Sequence, residues 1–198
     1  MCKINFKKTL PYIGSILFMI ILSYIYFSPD ILEGKVLFQG DTQQGIAIGQ
    51  EGKAFREATG ETTRWTNSLF SGMPNFQISP SYANNYWMGQ IGRIYHLGLQ
   101  SPASLVFIMM LGFFILLSAM KIRWYLALVG AIAYAFSSYF FIIIGAGHIW
   151  KFITLAYIPP TIAGIILAYR GKYIGGAALI GFFGMMQITS NHIQMSYY

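Results

Sequence analysis

The chain has 198 residues, of which 56% are hydrophobic and 10% are charged, and its formal net charge is +7. An ordinary soluble domain carries about 25% charged residues, so this composition predicts an integral membrane protein. The basic residues flank apolar segments instead of forming one cationic surface, which argues against nucleic acid as a partner.

About five apolar segments are long enough to form transmembrane helices. A helix needs about 20 mostly apolar residues to cross a hydrocarbon core roughly 30 Å thick. The predicted spans are Leu10–Phe27, Pro102–Met120, Tyr125–Gly145, Phe152–Tyr169 and Tyr173 to about Ile188. The expected fold class is therefore all-α, a polytopic membrane helix bundle of about five transmembrane helices.

The spans divide the chain into three regions. Residues 1–27 form a cytoplasmic N-terminus and the first transmembrane helix, residues 28–101 a large external loop, and residues 102–198 a bundle of about four transmembrane helices. The first span lacks a small-x-small cleavage site, which favours a retained anchor over a signal peptide. No basic flank follows the last span, so we expect a chain truncated at its C-terminus. Cys2 is the only cysteine, which excludes an intrachain disulfide.

The charge distribution predicts a membrane orientation. Three basic clusters precede the first span or lie in the short loops after the second and fourth spans: Lys3, Lys7 and Lys8; Lys121 and Arg123; Arg170 and Lys172. All six acidic residues lie between Asp30 and Glu61. Because basic loops stay in the cytoplasm, we place the N-terminus there and the acidic segment outside.

The external loop contains one predicted helix. Asp41 or Thr42 could cap a helix that runs to about Thr59 and stops at Gly60. This helix would carry alanines and other apolar residues on adjoining sides and charged residues in water, which indicates a helix on the membrane surface. The segment Trp65–Trp87 is rich in Asn, Ser and aromatic residues and contains Pro74 and Pro80, which indicates an ordered loop at headgroup depth.

Small residues and prolines predict how the spans pack. Small residues recur every four positions on three spans, which favours close helix contacts: Ala127, Ala131 and Ala135; Gly164 and Ala168; Ala177 and Gly181. Pro159 and Pro160 remove two backbone donors from the fourth span. We therefore expect an interruption and a kink there, facing protein or a water-filled cavity.

Asp41 is the candidate for catalysis in the external loop. An aspartate beside Gly40 is commonly a turn or helix cap, and this interpretation stays open. The functional alternative is a general base or a metal ligand, since a carboxylate near lipid can accept a proton or hold a divalent ion. No other cofactor is indicated.

The remaining polar residues on the external side are candidate substrate ligands. His148 and Lys151 could bind the phosphate of a lipid-linked substrate, or they could be interfacial anchors. Asn191 and His192 could contribute to the same site or form an ordinary polar helix end. The external arginines Arg64 and Arg93, like Arg56, could bind phosphate, although arginine is also common at anionic lipid surfaces.

Several segments together resemble a known family of membrane proteins. The segments are Leu37–Asp41, Phe55–Glu61, Trp65–Pro74, Ala135–Phe140, Gly147–His148 and Ser190–Met195. In these segments the chain resembles the N-terminal part of YfhO-family proteins of the bacteroidete type. The resemblance implies a much longer protein related to GT-C glycosyltransferases, in which Asp41 matches the catalytic acidic residue of the first external loop. The second acidic residue usual in that superfamily has no clear counterpart here.

Two functions follow as hypotheses. The first is the N-terminal part of a glycosyltransferase-like protein that uses an undecaprenyl-phosphate sugar donor at the outer face of the bacterial cytoplasmic membrane. This part alone is expected to be inactive. The second is a noncatalytic membrane protein, either a transporter component or an envelope-assembly partner, that contacts membrane lipid. An ion channel is disfavoured because the predicted spans lack charged residues. The sugar, the acceptor and the oligomeric state stay open.

Overall fold

The computed structural model describes residues 6–75 and 85–198 and confirms the all-α fold class. Its helices are α1 (Phe6–Tyr26), α2 (Ser28–Leu32), α3 (Gly40–Thr59), α4 (Asn85–Tyr95), α5 (Ala103–Ala119), α6 (Trp124–Ala135), α7 (Ser138–Ala146), α8 (Ile149–Tyr169), α9 (Tyr173–Thr189) and α10 (Ile193–Tyr197). Two short antiparallel strands, β1 (Trp65–Thr66) and β2 (Met73–Pro74), form a hairpin. Cys2, Lys3, Pro80 and the side chain of Lys8 lie outside the described part.

Two of the described helices, α1 and α8, are long and apolar enough to cross a membrane. A third span results if α6 and α7, which meet at an angle of 46°, are counted together. The helices α5 and α9 are apolar but have only 17 residues each. At 1.5 Å per residue, such a helix is about 25 Å long, less than the roughly 30 Å hydrocarbon core.

Helix α5 occupies the centre of the bundle. Every residue from Ala103 to Met110 is buried, and the helix packs against α1, α6 and α8. Helix α9 covers the other side of α8. The predicted alanine stripe on α6 is confirmed as an interior face, because Ala127, Ala131 and Ala135 are fully buried.

Glycines allow the closest helix approaches. A Cβ on Gly164 would lie 2.8 Å from the carbonyl oxygen of Gly176, and a Cβ on Gly176 would lie 2.7 Å from the carbonyl oxygen of Gly164. The contact between α8 and α9 therefore uses Gly164 as predicted, but its partner on α9 is Gly176. A Cβ on Gly181 would meet nothing within 4 Å among the described atoms.

Helix α8 continues through Pro159 and Pro160, so the predicted interruption is wrong. The two prolines are buried, in agreement with the expectation that they face protein. Pro160 has no N–H to donate to the carbonyl of Ala156 four residues earlier. Gly112 of α5 lies against that carbonyl, so closely that a Cβ there would clash with the oxygen. The backbone of α5 thus covers the carbonyl that the proline leaves without a helical donor.

The predicted span Tyr125–Gly145 is two helices instead of one. Helix α6 ends at Ala135 and α7 begins at Ser138 after the bend. The rings of Phe136 and Phe141 pack against Tyr26 of α1 with centroid distances of 5.2 Å and 5.0 Å. The bend therefore places aromatic rings from both sides of the break on the C-terminal end of α1.

The basic loops gather at one end of the bundle. The Arg170 guanidinium, after α8, donates to the carbonyl of Ala119 at the end of α5. Tyr12, near the start of α1, contacts Phe114 in the last part of α5. The start of α1 and the two basic loops thus lie at the same end of the bundle. The end of α1 and the segment that follows it lie at the opposite end.

The segment after α1 contains the predicted helix α3 and two helices that were not predicted, α2 and α4. Helix α3 ends at Thr59, and Gly60 adopts the left-handed conformation with φ +75°, both as predicted. None of the residues of α3 is buried. The predicted loop Trp65–Trp87 instead contains the β1–β2 hairpin and the start of α4.

Candidate functional site

The site centres on a contact between Asp41 and His148. The Nδ1 atom of His148 lies 2.9 Å from Oδ2 of Asp41. Because a carboxylate only accepts hydrogen bonds, Nδ1 carries the proton and Nε2 is left for another partner. Both side chains are about half exposed, so the pair is accessible to solvent and to a bound molecule.

Asp41 does not cap α3, because the helix begins one residue earlier and its N-cap residue is Gln39. The carboxylate of Asp41 lies in the first turn of α3, where the helix dipole favours negative charge. His148 precedes the first residue of α8. The two side chains are therefore presented by the starts of two helices.

Gln39 holds the start of α3 against the end of α7. Its Nε2 donates to the carbonyl of Ile144 at 2.6 Å, and its Oε1 accepts from Oγ1 of Thr42 at 3.0 Å. The carbonyl of Ile144 also accepts from the Gly147 amide at 3.1 Å, so the glutamine adds a second donor from another element at the end of α7. This junction sets the position of Asp41.

Gly147 makes the same junction possible from the other side. Its φ is +93°, which a residue with a side chain adopts at a cost. A Cβ at this position would lie 2.9 Å from Oγ1 of Thr42 and 3.0 Å from Cβ of Gln39. Gly147 therefore lets α3 approach the α7–α8 turn closely enough for Asp41 to reach His148.

Lys151 lies in the first turn of α8, where its Nζ is 5.5 Å from the ring centroid of Tyr139. A cation at this distance from an aromatic face is attracted by the ring. The lysine thus brings a positive charge to the α7 side of α8, one helical turn after His148.

Glu51 is a carboxylate whose role the sequence did not distinguish from those of its neighbours. It accepts hydrogen bonds from Thr66 Oγ1 (2.7 Å), the Asn67 amide N–H (2.7 Å), Asn67 Nδ2 (2.9 Å) and Ser68 Oγ (3.0 Å). These hydrogen bonds lower the pKa of Glu51 from 4.5 to about 2, and the bond from Thr66 has the largest effect. Glu51 therefore fastens the hairpin to the middle of α3.

Glu51 does not complete a metal site with Asp41. The two residues are ten positions apart on one helix, which corresponds to about 15 Å along the axis. Among the described residues, no group of three or more His, Cys, Asp or Glu side chains could hold a metal ion. The residues of the structure thus do not fit the divalent ion considered from the sequence.

A second polar region lies on a different face of α8. A cavity of about 290 Å³ opens between α4, α8 and α9, and Arg93, His96, Trp150, Ile153, Tyr157 and Met186 are among its lining residues. The α8 residues of this set are spaced three and four apart and so share one side of the helix. The predicted ligand Arg93 therefore belongs to this cavity, whereas Lys151 faces Tyr139.

His96, which the sequence did not single out, links α4 to α8. Its Nε2 lies 3.1 Å from the hydroxyl oxygen of Tyr157. Burial lowers the pKa of the His96 imidazole, so the neutral form is favoured. Burial also raises the pKa of the neighbouring Tyr95 hydroxyl, which has no hydrogen-bond partner among the described residues.

The other predicted ligands lie before the β1–β2 hairpin and in the turn between α9 and α10. Arg64 is exposed and precedes the hairpin, where its carbonyl accepts from the amide of Asn75 at 2.8 Å. Asn191 adopts a φ of +59° in the turn between α9 and α10. His192 follows, and its Nδ1 is buried without a hydrogen-bond partner within the described part of the chain.

Comparisons with protein-family models, with curated proteins and with solved structures found no match to this chain.

Proposed function

We propose that the chain is part of a membrane glycosyltransferase-like protein that uses a polyprenyl-phosphate-linked sugar at the outer face of the bacterial cytoplasmic membrane. The proposal is supported by one observation above all, the 2.9 Å contact between Asp41 and His148 in a half-exposed position. The resemblance to YfhO-family proteins described from the sequence assigns catalysis to the same aspartate.

The proposed membrane arrangement has five crossings, formed by α1, α5, the bent pair α6–α7, α8 and α9. The short helices α5 and α9 are extended by turns at each end, and both lie against longer helices. The basic loops meet near Ala119 and Arg170, and the positive-inside rule assigns that end to the cytoplasm. The Asp41–His148 pair then faces the outside.

In the proposed reaction, Asp41 accepts the proton of an acceptor hydroxyl. The hydroxyl oxygen bonds to the anomeric carbon of the sugar as the bond from that carbon to the phosphate oxygen breaks. The carrier then leaves as polyprenyl phosphate. His148 occupies one carboxylate oxygen of Asp41 and so orients the other toward the acceptor. Lys151 is the nearby cation on α8 that can offset the phosphate charge.

A transfer assay with full-length protein in proteoliposomes tests the proposal. The donor is a radiolabelled polyprenyl-phosphate sugar, and Asp41→Asn is compared with Asp30→Asn, which makes the same change on α2. General-base removal costs about 10²- to 10⁴-fold in rate. We expect that loss for Asp41→Asn and wild-type transfer for Asp30→Asn. Undiminished transfer by Asp41→Asn would refute the catalytic assignment.

An alternative proposal is a noncatalytic envelope-assembly partner or transporter component. It is favoured by α3, a 20-residue helix without a buried residue. A long helix that packs little against its own chain offers a surface for another protein. Loss of partner capture on shortening α3, together with no transfer by the wild-type protein, would select this alternative.

A further inference from the structure

The cavity between α4, α8 and α9 has an exposed mouth and a buried interior. Arg93 and Trp150 at the mouth are exposed, whereas Tyr157, Met186 and Ser190 farther in are buried. The remaining walls include Met88 and Ile153, so the interior is mostly apolar. A cavity of this kind suits an amphipathic molecule with its polar group at the opening.

The Arg93 guanidinium at the mouth favours an anionic ligand. Arg93 forms no ion pair with a carboxylate within the described residues. The hydroxyls deeper in the cavity already donate to backbone carbonyls, Thr189 to Met185 and Ser190 to Gln187. His96 contacts Tyr157. The guanidinium is the positively charged donor at the mouth, and its planar fork fits phosphate oxygens.

The location of the mouth indicates where such an anion comes from. Trp150 lies in the first turn of α8, a helix long and apolar enough to cross a membrane, and 62% of its surface is exposed. Tryptophans at the ends of spanning helices lie at the depth of the lipid headgroups. Arg93 shares the mouth with this tryptophan and so lies near the same depth.

We propose that this cavity binds an anionic phospholipid of the bilayer, with the phosphate on Arg93 and the beginning of one acyl chain against Trp150, Ile153 and Met186. The site is separate from the Asp41–His148 pair because it lies on another face of α8. It does not depend on the proposed transfer reaction. With a volume of about 290 Å³, the cavity holds only the beginning of this acyl chain. The rest of the lipid lies along the bundle in the membrane.

Native mass spectrometry of the full chain, titrated with phosphatidylglycerol, tests the proposal. Arg93→Gln should weaken binding about tenfold or more, because a charge-assisted hydrogen bond is lost. Arg56→Gln is the matched control, since it removes the same charge from α3, and it should bind like the wild type. Diacylglycerol, which has no phosphate, should bind the wild type as weakly as phosphatidylglycerol binds Arg93→Gln.

Gly92→Leu tests the apolar part of the site without threatening the fold. A Cβ on Gly92 meets only the end of the Met186 side chain, at 3.5 Å, and leucine favours the helix more than glycine does. The larger side chain should fill the cavity and weaken lipid binding at least tenfold while circular dichroism is unchanged. Unaltered binding in this variant would contradict the proposed location.

Three further outcomes would overturn the proposal. Equal weakening by Arg93→Gln and Arg56→Gln would indicate nonspecific charge attraction. Displacement of the lipid by inorganic phosphate at equal concentration would show that the apolar walls contribute nothing. Much tighter binding of undecaprenyl phosphate than of phosphatidylglycerol would assign the cavity to a carrier lipid instead of a bilayer lipid.

Discussion

The imidazole of His148 reaches Asp41 across the junction between the α7–α8 turn and the start of α3, with Nδ1 2.9 Å from Oδ2. Two hydrogen bonds hold this junction, from Gln39 to Ile144 and from Thr42 to Gln39. The absence of a side chain at Gly147 leaves room for the close approach. The pair is therefore placed by backbone packing as well as by its own attraction.

A double-mutant cycle measures whether the pair acts as a unit in transfer. We expect Asp41→Asn to lower the rate by about 10²- to 10⁴-fold. His148→Ala should lower it by about tenfold, because Asp41 keeps its carboxylate but loses its orienting donor. The double variant should be no slower than Asp41→Asn alone, since residues that act together are not additive. Multiplicative losses would show that the two side chains act independently.

Gly147→Ala should open the junction and destabilise the protein by about 1–3 kcal/mol, through its positive φ and the contact with Thr42. Gly145→Ala is the control, because it lies in α7 and its added Cβ would meet nothing within 4 Å among the described atoms. That change should be neutral or slightly stabilising. Thermal unfolding in detergent gives the comparison, and equal unfolding temperatures for the two variants would contradict the role given to Gly147.

The attachment of the hairpin to α3 should depend on pH. The pKa of Glu51 is lowered from 4.5 to about 2 in the folded chain, so the folded state favours the carboxylate. The stabilisation is fully present above about pH 4.5 and is lost as the pH falls toward 2. Hydrogen exchange at the Asn67 amide, which donates to Glu51, reports this change.

Glu51→Gln should speed exchange at Asn67 already at neutral pH, because the charge-assisted bonds are gone. Glu57→Gln removes a carboxylate whose partner Lys53 is 3.8 Å away at the exposed surface. Exchange in that variant should follow the wild type at every pH. Equal protection of the Asn67 amide in the wild type, Glu51→Gln and Glu57→Gln would show that Glu51 does not attach the hairpin to α3.

The contact between α5 and α8 should tolerate no side chain at Gly112. Gly112→Ala places a methyl group on the carbonyl of Ala156 and 3.2 Å from Cδ of Pro160. Overpacking of this kind costs about 1–3 kcal/mol. Gly184→Ala on α9 meets nothing within 4 Å among the described atoms and should not destabilise the protein. Apparent unfolding temperatures distinguish the two, and a Gly112→Ala protein as stable as Gly184→Ala would disprove the close approach.

Local signals predicted some elements accurately and missed others. Gly60 ends α3 because a left-handed residue suits glycine, and this preference is visible in the sequence. The bend at Phe136 and Ser137 was missed because neither proline nor glycine marks it, and its position depends on packing against Tyr26. The continuity of α8 through Pro159 and Pro160 depends on the covering α5 backbone, which no local pattern reveals.

The sequence allowed the residues of the candidate site to be selected, but it did not show which of them lie together. Asp41 and His148 could be selected as polar residues of the predicted external segments, and the structure places them in contact. Arg93 could not be separated from Lys151 without knowing which face of α8 each approaches. The importance of Glu51 depends on donors from the hairpin, and the fold brings those donors to it.

Cross-linking of intact cells tests most directly whether Asp41 and His148 form one site at the outer face. In a Cys2→Ser background, a short, membrane-impermeant, bifunctional thiol-reactive cross-linker is applied to cells with Asp41→Cys combined with His148→Cys, and linked peptides are identified by mass spectrometry. Arg56→Cys with His148→Cys is the control, because position 56 lies about 22 Å farther along α3. We predict a linked product for positions 41 and 148 and little for 56 and 148. Labelling of position 41 without position 148 would place the two residues on opposite sides of the membrane and contradict the account.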